Sequence, residues 1–230
     1  MQRLLADLAG AVAGVTELRD QKRGLLRLAA PQLMACTLMP RVIAAYRARY
    51  PDIEVRLADT LLEHLLAGLA SGEAELAVGQ DMDVDAGAVA RRTLLRDRHW
   101  LICPADHVFA RRRKVRWSEL APFTFIAPTR DLRQRVLPEL EADARAFLMR
   151  SSTQEVSYMT TALGMVASEL GLTVCPTYAA SLVRAHGLHM VKLDQPDFHR
   201  EVCVYAAARR SLSPAAAGFV QILERFAHKP

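Results

Sequence analysis

The chain has 230 residues, of which 51% are apolar and 24% charged, so it is long enough for one large or two small globular domains. No apolar run approaches the roughly 20 residues needed to cross a bilayer, and the N-terminal stretch lacks a signal peptide's unbroken apolar block. We therefore expect a cytoplasmic protein with no membrane contact. The net charge of +5 hints at an acidic partner such as nucleic acid, although the excess is spread along the chain.

The cysteines and histidines give no sign of a metal or cofactor site. The four cysteines are far apart in the sequence, at Cys36, Cys103, Cys175 and Cys203. Because no Cys-x-x-Cys pair occurs, we interpret Cys103 and Cys175 as buried apolar residues, with a redox role as the alternative. His186 and His189 flank a glycine turn with no acidic partner close in sequence. We therefore predict no metal and no cofactor.

The first half of the chain alternates between helical and strand patterns. Residues 2–20 place apolar side chains every three or four positions, which predicts an amphipathic helix. The stretch GLLRLAAPQLM, residues 24–34, predicts a strand that runs into a long helix ending before Pro51. The next predicted elements are a strand at 52–59, a helix at 61–69 and a strand at 74–79. This order predicts a parallel sheet with right-handed crossovers.

A long strand then leads into a second half of the same kind. Residues 91–104 are too many for one strand of a compact sheet, so we interpret them as a strand that leaves one sheet and enters another. The later predicted elements are strands at 123–128, 147–151, 170–176, 188–193 and 201–207, and helices at 131–147, 155–170, 177–184 and from Pro214. The cationic run at 111–116 is interpreted as a solvated loop, with a DNA-contact patch as the alternative.

Several strings of this sequence, taken in order, resemble the effector-binding region of LysR-type transcriptional regulators. GLLRLAAPQLMACTLMPRVIAAYRARYPDIEVRL is similar to the opening strand, helix and second strand of that region, and LLAGLASGEAELAVG to its L-x-x-G-x-L-D-L-A-I segment. LLRDRHWLICPADHVFA is similar to the family's crossover and its P-x-x-H-P-L-A ending, and ALGMVASELGLTVCP to V-x-x-G-x-G-I-x-x-L-P. The matches span residues 24–230.

The resemblance implies an α/β fold of two Rossmann-like subdomains joined by two crossover strands, the periplasmic-binding-protein-like type 2 fold. It implies the end of a linker and dimerisation helix at 1–23, subdomain I at 24–101 plus 202–230, and subdomain II at 102–201. The family's N-terminal winged helix-turn-helix is expected to be absent from this chain. Two departures from the family pattern are Glu169, which replaces a usual glycine, and Cys175, which replaces a usual aliphatic residue.

The resemblance also implies a function in ligand sensing. We expect an oligomerising domain that binds a small effector between its subdomains and couples this binding to the missing DNA-binding domain. The expected partners are the effector, a second copy in a homodimer (a homotetramer is the alternative) and DNA through the absent domain. In the family two such domains pack antiparallel, which implies a contact near Val42, Ala45 and Tyr46.

Two other functions remain open from the sequence. A solute-binding protein of the same two-lobed fold is the main alternative, and it should be monomeric. We predict that the chain is not an enzyme, because Gly-x-Ser-x-Gly, His-Glu-x-x-His and Walker patterns are missing.

Candidate effector-binding residues follow the predicted strands, because ligands of open α/β sheets bind beyond the carboxyl ends of strands. They are Pro31, Gln32, Leu33, Thr60, Leu62, Gln80, Pro128, Thr129, Arg130, Thr153 and Pro176. Gln32 stands where the family has an effector contact, and Arg130 could pair with a carboxylate. We expect a small organic anion with an apolar body, of which an aromatic acid is one example. Thr129 as a helix N-cap, Arg130 as an exposed residue, and Gln32 and Thr60 as partners of local backbone are the alternatives.

Overall fold

A computed structural model describes residues 24–127, 142, 145, 153–194 and 199–227. The chain forms two compact units: unit 1 contains the residues up to Leu95 and those from Glu201 onward, and unit 2 is Arg96–Arg200. The helix predicted at residues 2–20 lies outside the described residues, as does most of the one predicted at 131–147. No helix in the described parts of the chain is long and apolar enough to span a membrane.

Ten strands and six α-helices are bounded within the described residues. The strands are β1 (Gly24–Pro31), β2 (Ile53–Thr60), β3 (Leu76–Gln80), β4 (Val89–Pro104), β5 (Lys114–Arg116), β6 (Phe125–Ala127), β7 (Thr153–Glu155), β8 (Thr173–Pro176), β9 (Leu188–Asp194) and β10 (His199–Ala207). The helices are α1 (Gln32–Thr37), α2 (Met39–Arg49), α3 (Leu65–Ser71), α4 (Met159–Ala167), α5 (Ala180–Ala185) and α6 (Pro214–Ala227). Single 3₁₀ turns lie at Leu62–His64, Trp117–Leu120 and Thr177–Ala179.

The sheet of unit 1 has the strand order β2-β1-β3-β10-β4. β1 runs parallel to both β2 and β3, which confirms the predicted β-α-β-α-β arrangement, and β10 returns antiparallel to β3. β4 and β10 each begin in one unit and end in the other, so they are the two crossover strands. Ser213 and Pro214 begin α6 as predicted, because the Ser213 hydroxyl accepts the Ala216 N–H at 3.1 Å.

The long helix predicted after β1 is two helices, because a proline interrupts it. Pro40 lies in the first turn of α2 and has no N–H to donate back into α1. At the end of α1 the Thr37 hydroxyl donates to the Leu33 carbonyl oxygen at 2.6 Å. The short α1 therefore positions the residues that directly follow β1, while α2 does the packing.

Tyr46 anchors α2 to the C-terminal helix of the same chain. Its side chain is 0% exposed, its hydroxyl donates to the Ala215 carbonyl oxygen at 2.9 Å, and its ring centroid lies 5.3 Å from that of Phe219. Val42 is buried on the same face of α2. The expectation that Val42 and Tyr46 belong to an exposed dimer surface is therefore wrong, because α6 already covers them.

Unit 2 is built around β4, β8 and β9. β8 and β9 both pair antiparallel with the second half of β4, and β5 pairs parallel with β9. β6 and β7 form a separate parallel pair, which the buried Thr173 hydroxyl ties to β8 by donating to the Ile126 carbonyl oxygen at 2.8 Å. The strand predicted at 147–151 lies outside the described residues.

The turn between α4 and β8 has a strained backbone. Glu169 has φ 60°, a left-handed conformation that favours glycine. The family likeness identifies this position as a usual glycine, and the backbone shows why glycine suits it. Two residues later, Gly171 has φ 156°, and a Cβ there would lie 2.6 Å from the Thr124 carbonyl oxygen. No larger residue fits at Gly171 without moving the strand before β6.

Candidate functional site

The predicted residues of unit 1 meet at the carboxyl ends of three neighbouring parallel strands. Pro31, the last residue of β1, pairs in register with Thr60, the last residue of β2. On the other side of β1, Ala29 pairs with Ala77 of β3. Continued to the strand ends, this register brings Gln32 level with Gln80. The structure thus brings these predicted residues together at one edge of the sheet.

Gln32 carries an unsatisfied buried acceptor. Its side-chain oxygen Oε1 is inaccessible to solvent and has no hydrogen-bond partner. Gln32 is the first residue of α1, and Pro31, which caps that helix with extended φ and ψ, makes no side-chain hydrogen bond. Among the residues the structure describes, no side chain accepts a hydrogen bond from the first turn of α1. Leaving a buried acceptor unpaired costs about 1–3 kcal/mol, which is the mark of a position that awaits a partner.

Leucine side chains close one side of this edge. Leu62, in the 3₁₀ turn after β2, is half-buried against the apolar cluster that contains Leu65 and Tyr205. A Cβ on Gly79 of β3 would lie 2.7 Å from Leu65 Cδ2 and 3.4 Å from Leu62 Cδ1, so the glycine allows both leucines to lie over the strand. The sequence prediction of Leu62 as an apolar wall fits this packing, while its contact with an effector stays a prediction.

A polar network that the sequence did not reveal lies beside Gln80. The Tyr205 hydroxyl donates to the Gln80 carbonyl oxygen at 2.8 Å and accepts the Met82 N–H at 3.1 Å. Burial raises the pKa of Tyr205 far above its usual value, so the hydroxyl stays protonated. These contacts fix the backbone at the end of β3. Only the three-dimensional pairing of β3 with β10 brings Tyr205 here, which is why no local sequence pattern announced it.

One acid-thiol cluster lies next to this network. Single ligand atoms of Asp81, Glu201 and Cys203 lie within 4.8 Å of one another. Asp81 is already ion-paired with Arg91, and the Thr93 hydroxyl donates to Glu201 Oε2 at 2.9 Å. The carboxylates are thus engaged by protein groups, and the arrangement fastens the start of β4 to β10.

The equivalent turn of unit 2 is occupied by the protein's own carboxylate. Pro176 ends β8 and, like Pro31, caps the following turn with extended φ and ψ. Asp97 of β4 accepts the Tyr178 N–H at 3.3 Å, and the Thr177 hydroxyl and the backbone N–H groups of Thr177 and Arg98 also stabilise its charge. The Asp97 side chain is 6% exposed. Burial outweighs these hydrogen bonds and raises the pKa of Asp97 above its usual value.

Trp100 completes the contacts of this turn. Its indole Nε1–H donates to the Thr177 hydroxyl oxygen at 2.9 Å, and that hydroxyl lies 3.3 Å from the Arg98 carbonyl oxygen. Thr177 is therefore more than a helix N-cap, since it joins β4 to the start of the 3₁₀ turn. The local pattern VCPTY predicted the turn, but the partners Asp97 and Trp100 lie about 80 positions earlier, as the separations of 81 and 77 residues show.

The other predicted residues of unit 2 divide into two groups. Pro128, Thr129 and Arg130 lie outside the described residues. Thr153 is the first residue of β7 and pairs with Phe125, the first residue of the parallel strand β6. The expectation that Thr153 follows a strand is therefore wrong: it lies at the amino end of its strand, because the strand starts later than the sequence pattern indicated.

The cysteine and histidine predictions fare differently. All four cysteines are free thiols, and Cys103 and Cys175 are buried as predicted, with burial raising the pKa of Cys103 to about 11. The sequence singled out His186 and His189 but missed His99, which is 3% exposed. Burial and the nearby charges of Arg200 and His199 lower the pKa of His99 to about 3.

Two units of α/β structure joined by two crossover strands, with ligand-facing chemistry at parallel strand ends, define a two-lobed binding protein of the periplasmic-binding-protein-like type 2 fold. The family model described as "LysR substrate binding domain" matches residues 19–227. The chain belongs to this family.

Curated relatives agree with the family match. The HTH-type transcriptional regulator YfeR of Shigella flexneri is 27% identical over 217 residues, which are 94% of this chain and 69% of YfeR. A probable RuBisCO transcriptional regulator of Chlorokybus atmophyticus is 26% identical, over 97% of this chain and 74% of its own length. These relatives are transcriptional regulators and not enzymes.

Solved structures show the same fold. The effector-binding domain of QuiR in complex with shikimate superposes with a TM-score of 0.73 at 15% identity, covering 89% of this chain and 97% of that domain. The regulatory domain of CcmR from Synechocystis PCC6803 in complex with 2-PG gives 0.72 at 19% identity, covering 90% of this chain and 99% of that domain.

Proposed function

We propose that this chain is the effector-sensing part of a LysR-type transcriptional regulator, and that it binds a small organic acid with an apolar body at the strand ends of unit 1. The observation that carries the proposal is the buried Oε1 of Gln32, which has no hydrogen-bond donor and lies beside the uncapped first turn of α1. A ligand that pairs with this side chain would recover the free energy that the unpaired acceptor costs.

The chemistry of Gln32 suits a hydroxylated or simple carboxylic acid. A ligand hydroxyl can donate to Oε1, and a ligand carboxylate can accept from Nε2 after the amide rotates by half a turn. The free N–H groups of the first turn of α1 add donors for a carboxylate. The macrodipole of so short a helix is small, so hydrogen bonds and not the dipole would hold the anion.

The apolar body of the effector would lie against leucines. Leu33 follows Gln32 and is half-buried, and Leu62 lies over Gly79. An aromatic acid is one effector of this shape. Thr60, Gln80 and Arg130 remain proposed contacts, of which Arg130 would supply a bidentate partner for the carboxylate.

The relatives support a small-molecule effector without identifying it. QuiR binds shikimate and CcmR binds 2-PG. The identities of 15% and 19% support a common fold only, so neither ligand is assigned to this chain.

We further propose that units 1 and 2 act as the two subdomains whose arrangement the effector sets. Coupling of about 1–3 kcal/mol would alter DNA binding by a winged helix-turn-helix domain several-fold. In such a cytoplasmic regulator, residues 1–23 would belong to the linker helix of a homodimer. The regulator names of the relatives favour this function over a solute-binding protein, and light scattering separates the two, since the alternative predicts a monomer.

The test is a thermal-shift screen of carboxylic acids on the wild type and on Gln32→Leu. The variant removes the unpaired acceptor, so the ligand-free protein should gain about 1 kcal/mol of unfolding free energy while the stabilisation by any wild-type ligand is lost. Gln221→Leu, at an exposed position of α6, is the matched control and should change neither quantity. If Gln32→Leu responds to the same acids as the wild type, or if only uncharged compounds stabilise the wild type, the proposal is wrong.

A further inference from the structure

Two turns of this protein have the same backbone but different occupants. In both, a strand ends in a proline with extended φ and ψ that begins a helical turn: Pro31 has φ −60° and ψ 146°, and Pro176 has φ −70° and ψ 161°. The first turn of α1 meets no side-chain acceptor among the described residues. The Thr177–Tyr178 turn instead surrounds the carboxylate of Asp97. The sequence strings AAPQL and VCPTY predicted equivalent anion sites, and the structure distinguishes them.

We propose that Asp97 is a specificity-determining residue: it acts as a resident anion in the turn after β8 and so excludes effectors that would place a carboxylate there. The effector is then a monocarboxylic acid whose acid group goes to unit 1 and whose other end is uncharged. This inference rests on the proposed function, which it narrows to one class of ligand.

The donors of the turn are fully used by Asp97 and its neighbours. The Tyr178 N–H is directed to Asp97 Oδ2, and the Thr177 N–H also stabilises that carboxylate. The one proton of the Thr177 hydroxyl serves Asp97 or the Arg98 carbonyl oxygen, while Trp100 occupies a lone pair. A second carboxylate would therefore find no donor on these two residues and would also face the like charge of Asp97.

The carboxylate of Asp97 depends on these donors for its stabilisation. No ion pair between Asp97 and an arginine or lysine occurs among the described residues, and the side chain is more than nine-tenths buried. A buried charge without a cation is held by hydrogen bonds alone, as in an anion-binding site. Removing the side chain should therefore leave a site that fits a free carboxylate of the same size.

Formate provides the test, because it is the carboxylate of Asp97 without the rest of the side chain. We would measure thermal unfolding midpoints in ~0.2 M sodium formate and in the same concentration of sodium chloride, for the wild type, Asp97→Gly and Asp97→Ser. Both variants should unfold at lower temperature in chloride, and formate should raise their midpoints by about 2–4 °C more than chloride does. The wild type should show no formate-specific gain, because its turn is already occupied.

Asp97→Ser guards against loss of folding, since serine can itself cap the turn. Asp85→Gly is the matched control: it removes an exposed carboxylate that accepts the Gly87 N–H at 2.9 Å, and it should not respond to formate. An equal formate response in the wild type or in Asp85→Gly overturns the inference, as does the absence of any response in both folded Asp97 variants. Since the readout does not involve Gln32, this experiment can fail while the proposed function survives, and the reverse.

Discussion

Acidification should destabilise this protein through a single buried histidine, His99. The side chain is 3% exposed, and burial, followed by the charges of Arg200 and His199, lowers its pKa to about 3. Arg98 adds a further positive group to this region, since its Nε lies 3.5 Å from His199 Nε2. His99 is therefore neutral in the folded protein over the whole range in which an unfolded histidine becomes charged.

The size of the effect follows from proton linkage. A histidine has a pKa of about 6.5 when unfolded, so its neutral buried form contributes stability that is fully present above that pH and is lost as pH falls toward 3. One pKa unit corresponds to about 1.4 kcal/mol. Between pH 7 and pH 5 the free energy of unfolding should therefore fall by about 2 kcal/mol from this residue alone.

Urea unfolding of the wild type and of His99→Gln at pH 7 and pH 5 measures this term. Glutamine keeps a polar side chain but does not titrate, so the variant should lack the loss of about 2 kcal/mol even if it is less stable at pH 7. His189→Gln, at an exposed position of β9, controls for the histidine change and should behave as the wild type. Equal losses in wild type and His99→Gln would refute the reasoning.

Three further results are expected. Glu169→Gly should raise the unfolding free energy by about 0.5–1 kcal/mol in urea titrations, because it relieves a left-handed backbone; a destabilised variant would contradict this. Tyr46→Phe should cost about 1 kcal/mol, since it removes the hydrogen bond to Ala215, while remaining as oligomeric as the wild type by light scattering. Native alkylation with iodoacetamide, followed by mass spectrometry, should label Cys36 and spare the three buried thiols; rapid labelling of any of those would show that their burial is wrong.

The fold could be predicted from sequence wherever one local rule decided the outcome. Alternation of apolar residues gave the strands of unit 1, and the Ser213-Pro214 pair marked the start of α6. The family likeness identified Glu169 as a glycine position, and its positive φ agrees. The helix after β1 was harder, because a proline near the start of a helix is tolerated but in its middle is not. Pro40 could be interpreted either way until the break at Leu38 was seen.

Long-range packing accounts for the failures. The apolar face of α2 required a partner, but nothing local distinguished a second copy of the chain from α6, which lies 169 residues away at the Tyr46 contact. Asp97 appeared as one charged residue within a crossover strand, and only the pairing of β4 with β8 brings it to the Thr177–Tyr178 turn. The unpaired oxygen of Gln32 likewise depends on what fails to surround it, which no periodicity reports.

The central claim is that an organic acid binds at the strand ends of unit 1 through Gln32. The most direct measurement is amide chemical-shift mapping by NMR of the isotope-labelled chain, titrated with the most stabilising carboxylic acid from the screen. We predict that the largest shifts fall on the backbone N–H groups of Gln32 and Leu33 and on the Gln32 side-chain amide, with Thr60 and Gln80 also affected. Saturable shifts that leave Gln32 and Leu33 unchanged would contradict the claim.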